Sequence, residues 1–142
     1  MSAQTLISTL ADSARVAGRT LSIATGAERK GALESIAAAI EARSAEILAA
    51  NEKDMAAGRL ANLNSSLLDR LLLTPERIKG IAGGARQVSQ LPDPLGNTLR
   101  QSTLPNGIKL EQISVPFGVI GMVYEARPNV TVDAAVILLM SG

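Results

Sequence analysis

The chain is short, rich in small aliphatic residues and nearly neutral. It has 142 residues, of which 46% are hydrophobic and 1% aromatic, and its formal net charge is +1. This length fits one domain of ordinary size, whose core we expect to consist of Ala, Leu, Ile and Val. The small charge gives no indication of a nucleic-acid partner. The absence of cysteine and histidine excludes disulfides, thiolate metal sites and a Ser-His-Asp triad.

The sequence lacks the features of exported or membrane-bound proteins. The N-terminus has no basic segment and carries Asp12 early, so we expect no signal peptide. The most apolar segment, residues 130–140, contains Asp133 and is too short to cross a bilayer. We therefore expect a cytoplasmic protein without a membrane or metal partner.

Residues 1–91 are predicted to be helical. Apolar residues recur at helical spacing over residues 3–22. Thr25 and Glu28 have the spacing of a capping box, which predicts a second, long helix to about Ala50 or beyond. The apolar stripe of this helix is expected to contain Leu33, Ile36, Ala37, Ile40, Ile47 and Leu48, opposite a charged and solvated face.

Two further helices are predicted after a break that contains Gly58 and residues 62–64. Ser65 is expected to cap a short helix. Residues 74–76, Thr-Pro-Glu, are a start signal for another helix, which we expect to run to about Gln90. The pair of glycines at 83 and 84 indicates close helix packing or a kink, since no strand precedes it as in a nucleotide-binding loop.

Residues 98–114 are predicted to form a β-hairpin. Two alternating segments, 98–104 and 108–113, flank Pro105-Asn106-Gly107. Asn-Gly between alternating segments predicts a type I′ turn, with positive φ at both residues. Because an isolated two-stranded hairpin is marginally stable in water, we expect this one to pack on a partner surface.

Residues 115–142 are predicted to form a strand, a polar loop and a helix. The short apolar run from 119 to 124 is typical of a strand buried on both faces of a parallel sheet. Gly118 and Gly121 suggest that another backbone or a ligand approaches closely. Because such a strand and its crossover helix are normally followed by another strand, we expect the sheet to be completed by sequence beyond Gly142 or by another chain.

The polar loop is the place where open α/β sheets bind ligands. It contains Glu125, Arg127 and Asn129, and Pro128 is expected to hold Arg127 in an extended conformation. Asn129 or Thr131 is expected to cap the helix that follows. A strand that ends in polar residues and leads into a helix N-terminus is typical of a ligand site.

Residues 118–135, GVIGMVYEARPNVTVDAA, closely resemble the γ-glutamyl phosphate reductases, also called glutamate-5-semialdehyde dehydrogenases, of the aldehyde dehydrogenase superfamily. The Tyr-Glu-Ala-Arg-Pro-Asn block is the most specific part of a resemblance that runs through the chain. It implies an α/β fold that comprises N-terminal helices, a β-hairpin arm and the first strand-helix unit of an NADP-binding domain, incomplete at the C-terminus. By the same resemblance, the NADP-binding domain includes residues 1–91, a hairpin at 98–114 and the strand-loop-helix at 115–142.

The resemblance also implies an activity and a cofactor. The family uses NADPH to reduce γ-glutamyl phosphate to glutamate 5-semialdehyde in proline biosynthesis, through a thioester on a cysteine. That cysteine lies beyond Gly142 in the family, and this chain has none. The resemblance therefore implies a small-molecule substrate and NADP for the full-length enzyme, and no turnover by the 142 residues alone.

Site residues follow from the same resemblance. Asn129 is the candidate whose amide stabilises the oxyanion, and its alternative is a turn or capping residue. Arg127 can bind the carboxylate or phosphate of the substrate, and its alternative is an ion pair with Glu125. The backbone of Tyr124, Glu125, Ala126 and Pro128 is expected to form one wall of the nicotinamide pocket. Glu125 as a general base and Asp133 as a carboxylate in the first helical turn complete the hypotheses.

The hairpin carries an implication about assembly. In the superfamily the corresponding strands belong to an oligomerisation arm, which implies a homo-oligomer here. The alternative is a hairpin folded onto its own domain. Two other classes of function remain open at this point, a catalytically inactive self-associating module and a small-molecule-binding domain without chemistry. The polar loop favours the reductase, because a scaffold needs no such cluster.

Overall fold

The computed structural model describes residues 2–125 and 127–142, which form six α-helices and one two-stranded antiparallel sheet. The elements are α1 Ala3–Ile23, α2 Gly26–Ala42, α3 Ser44–Leu60, α4 Ser65–Leu71, α5 Pro75–Ser89, β1 Thr98–Thr103, β2 Lys109–Ile113 and α6 Pro128–Met140. None of these helices is long and apolar enough to cross a membrane. The described chain is thus mostly helical, with a hairpin between its helical part and α6.

The capping box at α2 is confirmed, but the long helix after it is wrong. Thr25 Oγ1 accepts from the Glu28 N–H at 3.2 Å, and the Glu28 carboxylate accepts from the Thr25 N–H at 2.7 Å. The N–H and the hydroxyl of Thr25 both donate to the Glu28 carboxylate and lower its pKa. The helix ends at Ala42, and α3 starts at Ser44 after a break at Arg43. After this break, α3 packs against α4.

The predicted break at Gly58 and the predicted cap at Ser65 are also corrected. Gly58 lies inside α3 and is buried, and a Cβ there would approach Leu63, Leu68 and Leu71 to 3.2–3.3 Å. The glycine is therefore a point of close contact between α3 and the residues that follow. Asn64, not Ser65, caps α4, and its side chain accepts from the Leu67 N–H at 2.9 Å.

The core lies where α2, α5 and α6 meet. Its members are Leu33, Ala37, Ala82, Ala85, Val136 and Met140. Small alanines let the three helices approach closely, and Met supplements the expected Ala, Leu, Ile and Val. The glycines at 83 and 84 lie within the uninterrupted α5, and a Cβ at either would meet no atom within 4 Å. Close packing is therefore not the reason for that pair.

A buried arginine joins the start of α2 to the loop after α5. The Arg29 side chain is 3% exposed, and its guanidinium donates to both carboxylate oxygens of Asp93 at 2.6 and 2.8 Å and to the carbonyl of Ala24. The Leu95 N–H also donates to Asp93, at 3.0 Å. Gly26 is required beside this pair, since a Cβ there would lie 2.1 Å from Asp93 Oδ2.

The hairpin is confirmed, but its turn is not type I′. Strands β1 and β2 pair in antiparallel register, for example Ser102 with Leu110. The Gly107 N–H donates to the Leu104 carbonyl at 2.9 Å, and Gly107 has φ +85° whereas Asn106 does not have a positive φ. The three residues between Leu104 and Ile108 therefore form a type I-like turn followed by a left-handed glycine. Every residue of both strands is exposed, so within the described residues the hairpin does not fold onto the helices.

Residues 119–124 do not form the predicted buried strand. They have no strand hydrogen bonds in the described chain, and all six are exposed. A strand needs a neighbour to pair with, and the described residues supply none to this segment. A Cβ at Gly118 or Gly121 would likewise meet no described atom within 4 Å.

An apolar groove lies between α1, the start of α2, residues 118–120 and α6. It encloses about 800 Å³. Leu21, Val119, Ile120, Leu138 and Leu139 are among its lining residues. The predicted helix over residues 3–22 is confirmed as α1, but its Leu6 and Leu10 are exposed. The chain thus leaves much of its apolar surface uncovered.

Candidate functional site

The candidate site lies where the polar loop enters α6, beside α4 and the start of α5. Arg127 is the N-cap residue, with φ −118° and ψ 109°, and Pro128 occupies the first helical position. Pro128 excludes the helical conformation for Arg127, so the expected extended conformation is confirmed. Because Pro128 occupies the first helical position, α6 starts before both predicted caps, Asn129 and Thr131.

Neither predicted capping residue caps α6. Asn129 and Thr131 lie inside the helix, and no side chain caps its N-terminus. The Asn129 amide donates to Asp133 Oδ2 at 3.1 Å, and the Thr131 hydroxyl bonds the Tyr124 hydroxyl at 2.7 Å. Asp133 lies beyond the first turn, so its predicted role there is also wrong. Its carboxylate instead pairs with Asn129 one turn away.

Glu125 stands between two arginines. Its Oε2 lies 3.9 Å from Arg127 Nε and 3.7 Å from Arg70 Nη1. The ion pair of Arg127 with Glu125 is therefore present, although both distances exceed those of hydrogen bonds. The side chains of Glu125 and Arg70 are 71% and 45% exposed, so solvent weakens the attraction. A Glu125 side chain turned toward arginines is poorly suited to the role of a general base.

Arg127 retains an unsatisfied donor. Its Nε is buried and has no hydrogen-bond partner among the described residues. An unpaired buried N–H costs about 1–3 kcal/mol, more when it is charged. Such a group strongly favours the arrival of an acceptor.

Arg127 and Asn129 line the same cavity. The cavity encloses about 430 Å³, and its polar lining comprises Asp69, Arg70, Arg77, Arg127, Asn129 and Asp133. Arg127 and Asn129 were predicted from the sequence, whereas Arg70 was not. Nothing in the sequence relates Arg70 to residues more than fifty positions later, and only the packing of α4 beside the loop brings them together.

Arg77 has a different role from its two neighbours. Its guanidinium donates to the carbonyls of Asp69 and Leu72 and to Asp69 Oδ1 at 2.7 Å. These bonds hold the end of α4 against the start of α5. Arg77 therefore stabilises the wall of the cavity, and its donors are already used by protein acceptors.

The residues predicted to form the cofactor wall do not all line one cavity. Tyr124 and Pro128 line a space of about 580 Å³ together with Arg127, Thr131 and apolar residues that include Ala57 and Leu71. Glu125 turns toward Arg70 and Arg127 instead. Ala126 lies outside the described residues.

The arrangement can bind an anion and stabilise negative charge that develops beside it. Guanidinium and amide donors suit an oxyanion. The sequence has no cysteine to form a thioester. Among the described residues there is also no cluster of three His, Cys, Asp or Glu that could hold a metal.

Among the solved structures that share this fold are two reductases. They are the γ-glutamyl phosphate reductases of Thermotoga maritima, with a TM-score of 0.88 and 36% identity, and of Saccharomyces cerevisiae, with a TM-score of 0.87 and 31% identity. The matches cover 92% and 99% of this chain but only 32% and 35% of those chains.

Curated relatives have the same name. The γ-glutamyl phosphate reductase of Geobacillus thermodenitrificans is 54% identical over 132 residues, which are 93% of this chain and 32% of the relative. That of Kineococcus radiotolerans is 52% identical over 129 residues, which are 91% of this chain and 30% of the relative. No family model matches the chain. The chain is thus homologous to γ-glutamyl phosphate reductases and spans about a third of their length.

Proposed function

We propose that this chain acts as the N-terminal part of an NADP-dependent γ-glutamyl phosphate reductase of the aldehyde dehydrogenase superfamily. The observation that carries the proposal is the 54% identity to a reductase over 93% of the chain. The cavity lined by both Arg127 and Asn129 also supports the proposal. The substrate in the name of these relatives, γ-glutamyl phosphate, has anionic groups that guanidinium and amide donors bind. The catalytic thiol then belongs to the remaining two thirds of the enzyme.

Asn129 and Arg127 have separate tasks in this proposal. The Asn129 amide donates to the oxygen that becomes negative when the nucleophile attacks the acyl carbon, at the expense of its present bond to Asp133. Arg127 holds an anionic group of the substrate through its unsatisfied Nε and the rest of its guanidinium. Neither task requires a proton transfer.

The nicotinamide ring is assigned to the cavity beside Tyr124 and Pro128. The size of this cavity, about 580 Å³, and its partly apolar lining suit a flat ring. NADPH, when bound, supplies the hydride that reduces the acyl group. Tyr124, held by the Thr131 hydroxyl, would position the ring and exclude water.

The exposed hairpin and the apolar groove are proposed to be covered in the working enzyme. The hairpin would pair with another copy of the chain, as implied by its exposed apolar residues, such as Leu110. The groove and residues 119–124 would be covered by the remaining two thirds of the polypeptide, since the relatives are about three times as long.

A chimaera tests the proposed function in cells. In it, this chain replaces the matching 132 residues of the Geobacillus thermodenitrificans reductase. We expect the chimaera to restore growth without proline to a bacterial strain that lacks its own reductase. Failure of a soluble, folded chimaera to do so, beside a growing strain that carries the intact Geobacillus enzyme, would overturn the proposal.

A further inference from the structure

We propose that Arg70 and Arg127 together form a phosphoryl-binding site, with Glu125 as a carboxylate that occupies it until the ligand arrives. The inference rests on the proposed function only for the natural ligand, the acyl phosphate group of the substrate. Arg70 belongs to α4, and no sequence motif assigns it a role.

Two arginines share one carboxylate oxygen of Glu125. Arg70 and Arg127 approach the same carboxylate oxygen, Oε2, at 3.7 and 3.9 Å. Neither distance is that of a hydrogen bond, so one singly charged carboxylate serves two guanidiniums loosely. A phosphoryl dianion has the charge to neutralise both and three oxygens that accept hydrogen bonds.

One hydrogen-bond donor of this arginine pair has no partner among the described residues. Arg127 Nε is buried without a hydrogen-bond partner in the described chain, and Glu125 Oε2 lies 3.9 Å from it, beyond hydrogen-bond distance. Arg77, on the same cavity, already donates to two carbonyls and one carboxylate. Arg77 therefore stabilises the packing of α4 against α5, whereas Arg70 and Arg127 are available to bind a ligand.

The cavity beside these arginines is large enough for a phosphoryl group. Arg70, Arg127 and Asn129 line a cavity of about 430 Å³, which can hold a phosphate with part of an attached chain. No side chain caps the N-terminus of α6, where Arg127 and Asn129 lie. Asp69 and Asp133 also line the cavity, but each carboxylate already accepts from a neighbour, Arg77 and Asn129 respectively. The Arg77 guanidinium partly neutralises Asp69 and reduces its repulsion of an incoming anion, whereas the Asn129 amide is neutral and leaves the charge of Asp133 in place.

The test is a titration of the 142-residue chain with inorganic phosphate, followed through the NMR signals of the arginine Nε–H groups. We expect the Arg127 signal to shift saturably. Arg70→Ala should weaken phosphate binding about tenfold, which is the loss of one charge-assisted contact. Glu125→Gln should strengthen binding, because the competing carboxylate is gone.

The matched control is Arg15→Ala, which removes the same charge from an exposed pair on α1. Equal weakening by Arg70→Ala and Arg15→Ala, or weaker binding in Glu125→Gln, would overturn the proposal. A second titration with glutarate identifies the anion: tighter binding of glutarate than of phosphate would assign the site to a carboxylate and contradict the phosphoryl assignment. Phosphate binding with these responses would stand even if the chimaera were inactive, so the two proposals fail separately.

Discussion

Arg127 and Asn129 are two positions apart, yet the start of α6 gives their side chains different partners. Arg127 is extended before Pro128 and turns toward Glu125, whereas Asn129 lies in the helix and donates to Asp133. Both line one cavity. An anionic substrate could therefore bind to the arginine while its reacting oxygen approaches the amide.

The role of Asn129 can be tested in the reductase chimaera. If its amide stabilises the developing oxyanion, Asn129→Ala should lower kcat by about 10²–10³ with little change in KM. Its bond to Asp133 is a pair one helical turn apart, worth about 0.2–0.5 kcal/mol, so the midpoint of thermal unfolding should hardly move. Steady-state kinetics and a melting curve measure the two effects. Wild-type turnover in Asn129→Asp would contradict the oxyanion role.

Local rules predicted some residues of this site and missed others for a definite reason. The residue before a proline is restricted by its own covalent neighbour, so the conformation of Arg127 could be predicted. The choice of N-cap depended on where α6 begins, and Pro128 at the first position moved the start ahead of Asn129 and Thr131. Arg70 could not be predicted because its place in the cavity depends on helix packing.

Among the structural elements, α2 is fixed to the loop after α5 by one buried guanidinium. Arg29 is 3% exposed, whereas the Asp93 side chain is 35% exposed. Removal of Asp93 therefore leaves a buried charge without its partner. The loop connects the helical part to the hairpin, so this pair also sets where the hairpin begins.

Asp93→Asn should lower the free energy of unfolding at neutral pH by about 2–3 kcal/mol, below the full range for buried pairs because Asp93 is partly exposed. The Leu95 N–H is the largest cause of the lowered pKa of Asp93, and Arg29 adds to it against the raising effect of burial. A lowered pKa stabilises the fold above the unfolded value of about 3.9, and this stabilisation is lost as pH falls below it.

Urea unfolding of the wild type and of Asp93→Asn between pH 7 and pH 3 measures both effects. The difference in free energy of unfolding should be largest near pH 7 and should shrink below about pH 4. Replacement of an exposed partner, Asp12→Asn on α1, serves as the control and should change little at any pH. A pH-independent difference would contradict the assigned ion pair.

The hairpin turn gives a second test at the scale of elements. Gly107→Val should destabilise the hairpin by about 1–2 kcal/mol, because φ +85° is unfavourable for a residue with a Cβ. Asn106→Val should cost less, since Asn106 does not have a positive φ and loses only the acceptor of the Ile108 N–H. Amide hydrogen exchange of β1 and β2 compares the two. Equal effects would support the type I′ turn that the structure contradicts.

Elements that depend on nearby residues were predictable, and those that depend on distant partners were not. The capping box of α2, the proline start of α5 and the hairpin were predicted because their signals lie within a few residues. No glycine or proline marks the break at Arg43 between α2 and α3, so local signals did not predict it. Residues 119–124 have the composition of a buried strand but lack a neighbour in the described chain.

At the scale of the whole molecule, the distribution of apolar surface suggests association. The groove beside α6 and the hairpin expose leucines, isoleucines and valines in the described chain. Contiguous exposed apolar surface of this kind is typical of an interaction surface. The chain thus has the surface expected of one part of a larger assembly.

We expect the purified chain to form dimers or larger species in light scattering, with the hairpin at a contact. Leu110→Glu should shift the distribution toward monomer, because it places a charge on the exposed hairpin face. Leu10→Glu on the exposed face of α1 is the matched control and should shift it less. A monomeric wild-type chain at high concentration would contradict a hairpin contact.

We propose that these 142 residues form the N-terminal third of a reductase whose thiol lies elsewhere. The most direct test of this proposal is NADP reduction with glutamate 5-semialdehyde and phosphate, measured for the purified chain and for the chimaera with the Geobacillus thermodenitrificans enzyme. We expect turnover by the chimaera and none by the chain, because a chain without cysteine cannot form the thioester. Turnover by the chain alone, shown by mass spectrometry to be free of contaminating enzyme, would contradict the proposal, as would an inactive chimaera that is folded and binds NADP.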